Sequence, residues 1–143
     1  MWKLSLLLVI FIAAIFPVWP QENDPASLIG LTLEDLIRRF GAPRSVYPVR
    51  GIEEWQDDVV FVYNEGDFYI MKDRVWQLGL RSAYLVRSGD YRSSAFFNLG
   101  EVVYSAEDYA IFLLKGYNWP LALRCNFDAA GRVTLIFIYR SDL

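Results

Sequence analysis

The chain has 143 residues, of which 55% are hydrophobic and 17% aromatic, and its formal net charge is −3. This composition is sufficient for one domain, or for two small halves that share a core, and it excludes a disordered chain. A single Cys excludes an intramolecular disulfide and a Cys-cluster metal site, and the absence of His excludes every nucleophile–His pair. The mild acidity argues against a nucleic-acid partner. We therefore expect no nucleic acid, no cofactor and no metal.

The N-terminal segment has the features of a secretory signal peptide. Lys3 precedes an uncharged apolar run over residues 4–16, and Pro17 ends this run before it reaches the roughly 20 residues that a membrane-spanning helix needs. We predict that residues 1–20 are a signal peptide and that residues 21–29 are a flexible lead-in. The protein is then exported to the periplasm or the outer envelope. The alternative is an uncleaved N-terminal anchor, because no small-x-small cleavage triplet closes the segment.

Residues 30–82 have the pattern of one short helix followed by antiparallel strands. The apolar residues at helical spacing are Leu33, Leu36, Ile37 and Phe40. Thr32 is the expected N-cap of this helix, and Gly41 the expected C-cap. β-branched and aromatic runs separated by turn residues predict strands at 59–63, 68–71 and 75–78. Trp76, Leu78 and Leu80 are expected to share one face of the last strand.

Residues 83–143 repeat this plan with less regularity. Gly89 and Gly100 follow Gly30 and Gly41 by 59 residues each, and a short helix is expected between the second pair of glycines. Strands are predicted at 108–114, 120–127 and 133–139. The predicted fold class is therefore α+β, with two helix-plus-three-stranded antiparallel meander units, 30–82 and 83–143, sharing one core.

Several of these residues also resemble a known family. Its features here are Gly30-x-Thr32 before an amphipathic helix, Phe40-Gly41-x-Pro43 after it, Trp55 ahead of a β-rich stretch, and a strand-turn-strand pattern from Leu121 to Ile136. This arrangement resembles the SmpA/OmlA (BamE) family, which belongs to a group with the β-lactamase inhibitor protein, where the unit occurs in tandem. The resemblance implies a small exported α+β module that works by binding, without a catalytic centre.

The aromatic residues exceed what a small core needs, and they are the strongest indication of a binding site. Tyr, Trp and Arg are the residue types enriched at binding hot spots. The candidate binding residues are Tyr63, Tyr69, Tyr117, Trp119, Arg38 and Arg39. Tyr117 and Trp119 are expected to be exposed on a turn. The two arginines, at the end of the first helix, suit an acidic partner or the lipid head groups of a peripheral membrane contact, although charges at a helix end more often only complement the helix dipole.

Two further features suggest chemistry less strongly. The acidic residues Glu53, Glu54, Asp57 and Asp58 provide the paired carboxylates that a hydrolase uses, but adjacent acids beside a strand are typical of a solvated loop. Cys125 lies on the apolar face of its strand, so we predict a buried side chain and no nucleophile.

These observations together predict an exported, non-catalytic module of the cell envelope that binds or scaffolds another envelope protein. One alternative is an envelope protein that holds lipid or glycan between two sheets. A more distant alternative is a carboxylate-dependent hydrolase.

Overall fold

The computed structural model describes residues 24–52 and 58–143, so the predicted signal peptide at 1–20 lies outside the described residues. The helices are a 3₁₀-helix at Pro25–Leu28, α1 at Leu33–Phe40 and α2 at Arg92–Asn98. The strands are β1 Ser45–Val49, β2 Asp58–Val62, β3 Asp67–Met71, β4 Arg74–Leu80, β5 Ser82–Ala83, β6 Val86–Arg87, β7 Val102–Ser105, β8 Tyr109–Leu114, β9 Leu121–Phe127 and β10 Val133–Arg140. None of the described helices has the length and apolar character needed to cross a membrane.

Eight of these strands form one antiparallel sheet in the order β1-β2-β3-β4-β10-β9-β8-β7, and β5 pairs with β6 in a separate hairpin. The predicted fold class is therefore wrong. The described residues form one sheet-dominated fold with two short α-helices, and not two helix-plus-three-stranded units. The prediction omitted β1 and β7, the two edge strands. Their side chains are almost all exposed, so they lack the alternation between buried and exposed positions that marks a strand in the sequence.

The turns that lead into α1 and α2 are held by equivalent hydrogen bonds. The Gly30 carbonyl accepts a bond from Arg74 Nη1 at 2.9 Å, and the Gly89 carbonyl accepts one from Arg132 Nη1 at 2.8 Å. The N–H groups of the same two glycines donate to carbonyl oxygens of β4 and β10, at 2.8 Å and 2.7 Å. Each helix is therefore anchored to the start of one of the two central strands.

Helix α1 has the bounds and caps that the sequence predicts. Thr32 Oγ1 accepts a hydrogen bond from the Asp35 N–H at 3.1 Å, which satisfies one of the unpaired donors at the helix start. Gly41 ends the helix with a φ of 78°, a conformation that disfavours residues with a Cβ atom. Leu36, on the inner side of the helix, is fully buried.

The core lies between the helices and one face of the sheet. The rings of Phe40 and Phe68 are 5.4 Å apart, and those of Phe96 and Phe112 are 5.5 Å apart, so α1 packs on one half of the sheet and α2 on the other. Cys125 is fully buried in the same core, as the sequence predicts. We call this side of the sheet the core face.

The segment before α1 is more ordered than the predicted flexible lead-in. Pro25–Leu28 forms a 3₁₀-helix that begins with Asp24 as its N-cap. Ala26 and Ile29 are only 2% and 5% exposed, because this segment packs against the core. Apolar side chains in a polar stretch are a weak signal, which explains why the sequence indicated a linker.

The prediction that Trp76 and Leu78 share one face of β4 is wrong, because the strand contains a register shift. Tyr69 pairs with Gln77 and Ile70 pairs with Val75, so Trp76 is an extra residue between these two pairs. Such a bulge interrupts the strict alternation of a strand. Leu78 therefore lies on the core face, whereas Trp76 contacts Tyr69 on the opposite face.

Candidate functional site

The face of the sheet that points away from α1 and α2 carries many apolar side chains, and we call it the open face. Along β10, Ile136 and Ile138 are fully buried on the core face, whereas Phe137 and Tyr139, which alternate with them, are half-buried on the open face. A solvated face of an antiparallel sheet normally carries polar residues. The central residues of the open face are Tyr69, Trp76, Tyr109, Ile111, Arg124, Phe137 and Tyr139.

Three aromatic rings at the centre of the open face support one another. The Tyr69 ring lies 6.4 Å from that of Trp76 and 6.3 Å from that of Phe137, both in edge-to-face geometry. Trp76 Nε1 donates a hydrogen bond to Asp58 Oδ2 at 2.9 Å. Burial, followed by the nearby Tyr47 and Asp67, raises the pKa of Tyr69 to about 12. Tyr69 therefore keeps its hydroxyl proton at neutral pH, and the rings form a preorganised surface.

Arg124 is the basic residue of this aromatic surface. Its guanidinium carbon lies 3.9 Å from the centroid of the Tyr109 ring, and its Nε donates to Asn126 Oδ1 at 2.8 Å. The Tyr109 ring stacks in turn on Tyr104, with a centroid distance of 5.3 Å. Within residues 24–52 and 58–143 no carboxylate forms an ion pair with Arg124. The Tyr109 ring therefore holds in place a cation that no carboxylate of the described residues neutralises.

Arg124 lines an open cleft of about 520 Å³ on this face. The other lining residues are Trp76, Gln77, Tyr109, Ile111, Phe137, Tyr139, Arg140, Ser141 and Leu143. Arg140 at the rim is paired with Asp142 at 2.8 Å, so its charge is compensated within the chain. The cleft therefore combines aromatic walls with one guanidinium that has no ion pair in the described part of the chain, a chemistry that suits apolar and carboxylate-bearing side chains.

Of the four aromatic residues predicted from the sequence, Tyr69 lies on the open face. Tyr63 is only 5% exposed, and its hydroxyl donates to the Gly41 carbonyl at 3.0 Å, in the core beneath α1. The Tyr117 hydroxyl donates to Asp24 Oδ2 at 2.5 Å, and its ring packs against the core. Trp119 is 37% exposed and has Arg140 over its ring at 4.0 Å. The structure thus does not bring these four residues into one surface.

The predicted arginines lie on α1, which packs on the core face of the sheet. Arg38 forms ion pairs with Glu34 at 2.5 Å and with Asp35 at 2.9 Å; the Arg38 and Glu34 side chains are largely exposed and that of Asp35 is about half exposed. The guanidinium of Arg39 lies 5.5 Å from the centroid of the Phe40 ring. Because Arg38 is paired within its own helix and exposed, it contributes little beyond helix stability.

The acidic cluster falls largely on residues whose structure is not described. Glu53, Glu54 and Asp57 lie outside the described residues, whereas Asp58 is buried and accepts the bond from Trp76. In the part of the chain that is described, no group of three or more His, Cys, Asp or Glu side chains is arranged to hold a metal ion.

The sequence reasoning missed Trp76, Phe137, Tyr139 and Arg124 as members of one surface. One signal was available in β10, where the run from 133 to 139 is apolar or aromatic at nearly every position. A strand that is apolar on both faces, next to strands with clear alternation, indicates that the second face is also covered or is used for contacts.

The described residues thus form an eight-stranded antiparallel sheet with two short α-helices on its core face, beside the separate β5–β6 hairpin. No protein-family profile matches the sequence, and no curated protein matches it. Among solved structures, the chain is similar to an extracellular protein containing an SCP domain from Bacillus anthracis str. Ames, with a TM-score of 0.56 and 12% identity. The match covers 87% of this chain and 48% of that protein, so this chain spans about half of its length.

At 12% identity this likeness concerns the fold alone. It corrects the resemblance to the BamE group, because it relates the chain to a different fold from the one that this resemblance implied. The neighbour is described as extracellular, which is consistent with the coarser prediction of an exported protein. It does not extend to a periplasmic or outer-envelope location.

Proposed function

We propose that this chain is an exported, non-catalytic module that binds a protein partner through the open face of its sheet. The observation that carries the proposal is the half-exposed aromatic surface around Tyr69, Trp76 and Phe137. Aromatic residues and Arg are enriched at the centres of protein–protein interfaces, where rigid rings bury a large area at a small entropic cost. Arg124 adds a charge that selects among partners.

The size of the open face suits a protein partner. Seven spacings of about 4.8 Å between neighbouring strands give a width of about 34 Å, and strands of typical length add about 17–20 Å in the other direction. The resulting area of about 600 Å² is comparable to the roughly 800 Å² that each partner buries in a standard interface. The alternative of a lipid or glycan held between two sheets has less support, because the eight main strands form one sheet.

The proposed site of action is outside the cytoplasm, in the periplasm or at the outer envelope. Support comes from the charged start and apolar run of residues 1–20, and from the extracellular structural neighbour. Fractionation of cells that produce the full chain, followed by protease treatment of the intact cells, tests this location. Recovery in the cytoplasm alone would contradict it.

Site-specific photo-crosslinking tests the binding role. The full chain is produced in its native cells with p-benzoylphenylalanine in place of Phe137, which is half-buried at the centre of the open face. The matched control carries the same group in place of Leu85, which is 85% exposed at the tip of the β5–β6 hairpin. We expect a protein adduct from position 137 and none from position 85. Adducts with lipid or glycan alone, equal adducts from both positions, or no adduct would each contradict the proposal.

A further inference from the structure

One row of side chains across the open face carries opposite charges at its two ends. Asp67 on β3 pairs with Gly79 on β4, and Gly79 pairs with Phe137 on β10. Phe137 pairs with Arg124 on β9. The row therefore runs Asp67, Gly79, Phe137, Arg124, and its midpoint lies between the two central strands, β4 and β10.

Neither of the two charges is compensated within the described part of the chain. Three strand spacings of about 4.8 Å separate Asp67 from Arg124 by about 14 Å, which is far beyond the reach of an ion pair. No ion pair within residues 24–52 and 58–143 involves either residue. Both side chains are half-buried, so water screens them less than fully exposed charges.

We propose that two copies of this chain associate through their open faces, around a two-fold axis that runs parallel to the strands between β4 and β10. This axis exchanges the two ends of the row, so Asp67 of each copy lies over Arg124 of the other. The result is two identical ion pairs, as an interface between identical surfaces requires. The inference rests on the proposed function and deepens it, since it names a second copy as the protein partner.

The rest of the open face supports this occupant. The aromatic side chains around Phe137 lie between the two charged positions, so the centre of the interface is apolar and its charges lie on either side. Two sheets that pack face to face with aligned strands are a common arrangement. The area of about 600 Å² per copy approaches that of a standard interface.

Exchanging the two charges tests this dimer. The protein is purified from the cells that produce it, and sedimentation velocity measures its dimer affinity. Asp67→Arg places two arginines opposite each other at both contacts, and Arg124→Asp places two aspartates there. Because like charges across an interface cost several kcal/mol, each variant alone loses at least about tenfold in dimer affinity. Mixed in equal amounts, the two variants again pair opposite charges at both contacts, and the affinity returns to within about threefold of the original protein.

Controls separate this interface from a folding defect and from another interface. Thermal unfolding of each variant shows whether it folds, and Arg124→Gln gives an intermediate loss because it removes a charge without reversing it. Val103→Lys lies on the edge strand β7, at a side chain that is 54% exposed, and should leave the affinity unchanged. Loss of the dimer by Val103→Lys, with no effect of the charge exchange, would mean that the copies pair edge to edge and would overturn the inference.

A monomer at every accessible concentration would also overturn the inference, and so would a mixture of the two variants that fails to associate. Neither result decides the proposed function. A cross-link from position 137 to a different protein would uphold the proposed function and refute the second copy as the partner.

Discussion

Trp119 lies across the backbone of Gly30, so close that a Cβ atom at Gly30 would stand 2.8 Å from the indole Nε1. Gly30 belongs to the turn before α1, whereas Trp119 belongs to the connection between β8 and β9. Arg140 also contacts the Trp119 ring. The contact therefore joins the turn before α1 to the β8–β9 connection, on the other half of the sheet. Although the Trp119 side chain is partly exposed, it has a structural role.

Gly30→Ala is therefore expected to destabilise the protein more than the same change at Gly89. Both glycines have a left-handed backbone, with φ of 90° and 96°, and a Cβ atom at Gly89 would meet nothing within 4 Å. The backbone strain alone costs about 1–2 kcal/mol. We expect that cost for Gly89→Ala, and about 2–4 kcal/mol for Gly30→Ala because the indole must also move. Denaturant unfolding of both variants measures the difference. Equal losses would show that Trp119 moves away freely.

Asp24 is expected to stabilise the fold by linking the start of the described chain to Tyr84 and Tyr117, which are distant in sequence. Its carboxylate accepts hydrogen bonds from the Tyr84 hydroxyl at 2.7 Å, from the Tyr117 hydroxyl at 2.5 Å and from the Ala26 N–H at 3.1 Å. A hydrogen bond to a charged group contributes about 1.5–3 kcal/mol, but the Tyr84 and Tyr117 hydroxyls are 3.2 Å apart and can still bond to each other when the carboxylate is removed. Asp24→Ala should therefore lower the free energy of unfolding by about 2–4 kcal/mol, which is less than the sum of the three bonds.

The matched control for Asp24 is Asp90→Ala. Among the described residues, the Asp90 side chain accepts one hydrogen bond, from the Arg87 N–H at 2.8 Å at an exposed site, so a loss of about 0.5–1.5 kcal/mol is expected. In the Asp24→Ala background, Tyr84→Phe should cost much less than it does in the original protein. If Tyr84→Phe lowered the free energy of unfolding equally in both backgrounds, the bond between Tyr84 and Asp24 would not be the source of the stabilisation.

The elements that the sequence predicts well are those whose signals are local. Thr32 and Gly41 define α1 because capping depends on the residue type and the next few positions. The strict alternation in β9 identifies its core face, including the buried Cys125. These features need no knowledge of what the rest of the chain does.

The features that the sequence does not predict depend on distant neighbours. The pairing of β4 with β10 merges the predicted units into one sheet, and hydrogen bonds between strands leave no local pattern. The extra residue in β4 moves Trp76 to the open face, where it joins Tyr69. The candidate surface is therefore visible only when the register of all strands is known.

The two faces of β10 should respond differently to truncation. Ile138 is fully buried on the core face, so Ile138→Ala should cost about 2–5 kcal/mol. Phe137 is half-buried on the open face beside Tyr69, and Phe137→Ala should cost less than half of that amount despite the larger group removed. Denaturant unfolding of the two variants provides the comparison. If Phe137→Ala were the more harmful change, the open face would be part of the core, and its use as a binding surface would lose support.

Alkaline pH is expected to weaken the fold through groups that keep their protons when folded. Burial raises the pKa of Cys125 from 9.0 to about 12 and that of Tyr69 from 10.0 to about 12. The unfolded chain releases these protons first, so the contribution of these two groups to the free energy of unfolding is constant well below about pH 9 and falls as pH rises toward about 12. The thiol contributes from about pH 9 onward, by at most about 1.4 kcal/mol per pH unit, and several partly buried tyrosines, among them Tyr69 and Tyr84, contribute increasingly toward and above about pH 10. Cys125→Ala should reduce the slope from about pH 9 onward, whereas Tyr69→Phe should reduce it mainly above about pH 10, as urea unfolding at a series of pH values would show. An unchanged slope in Cys125→Ala would mean that the loss of stability arises elsewhere.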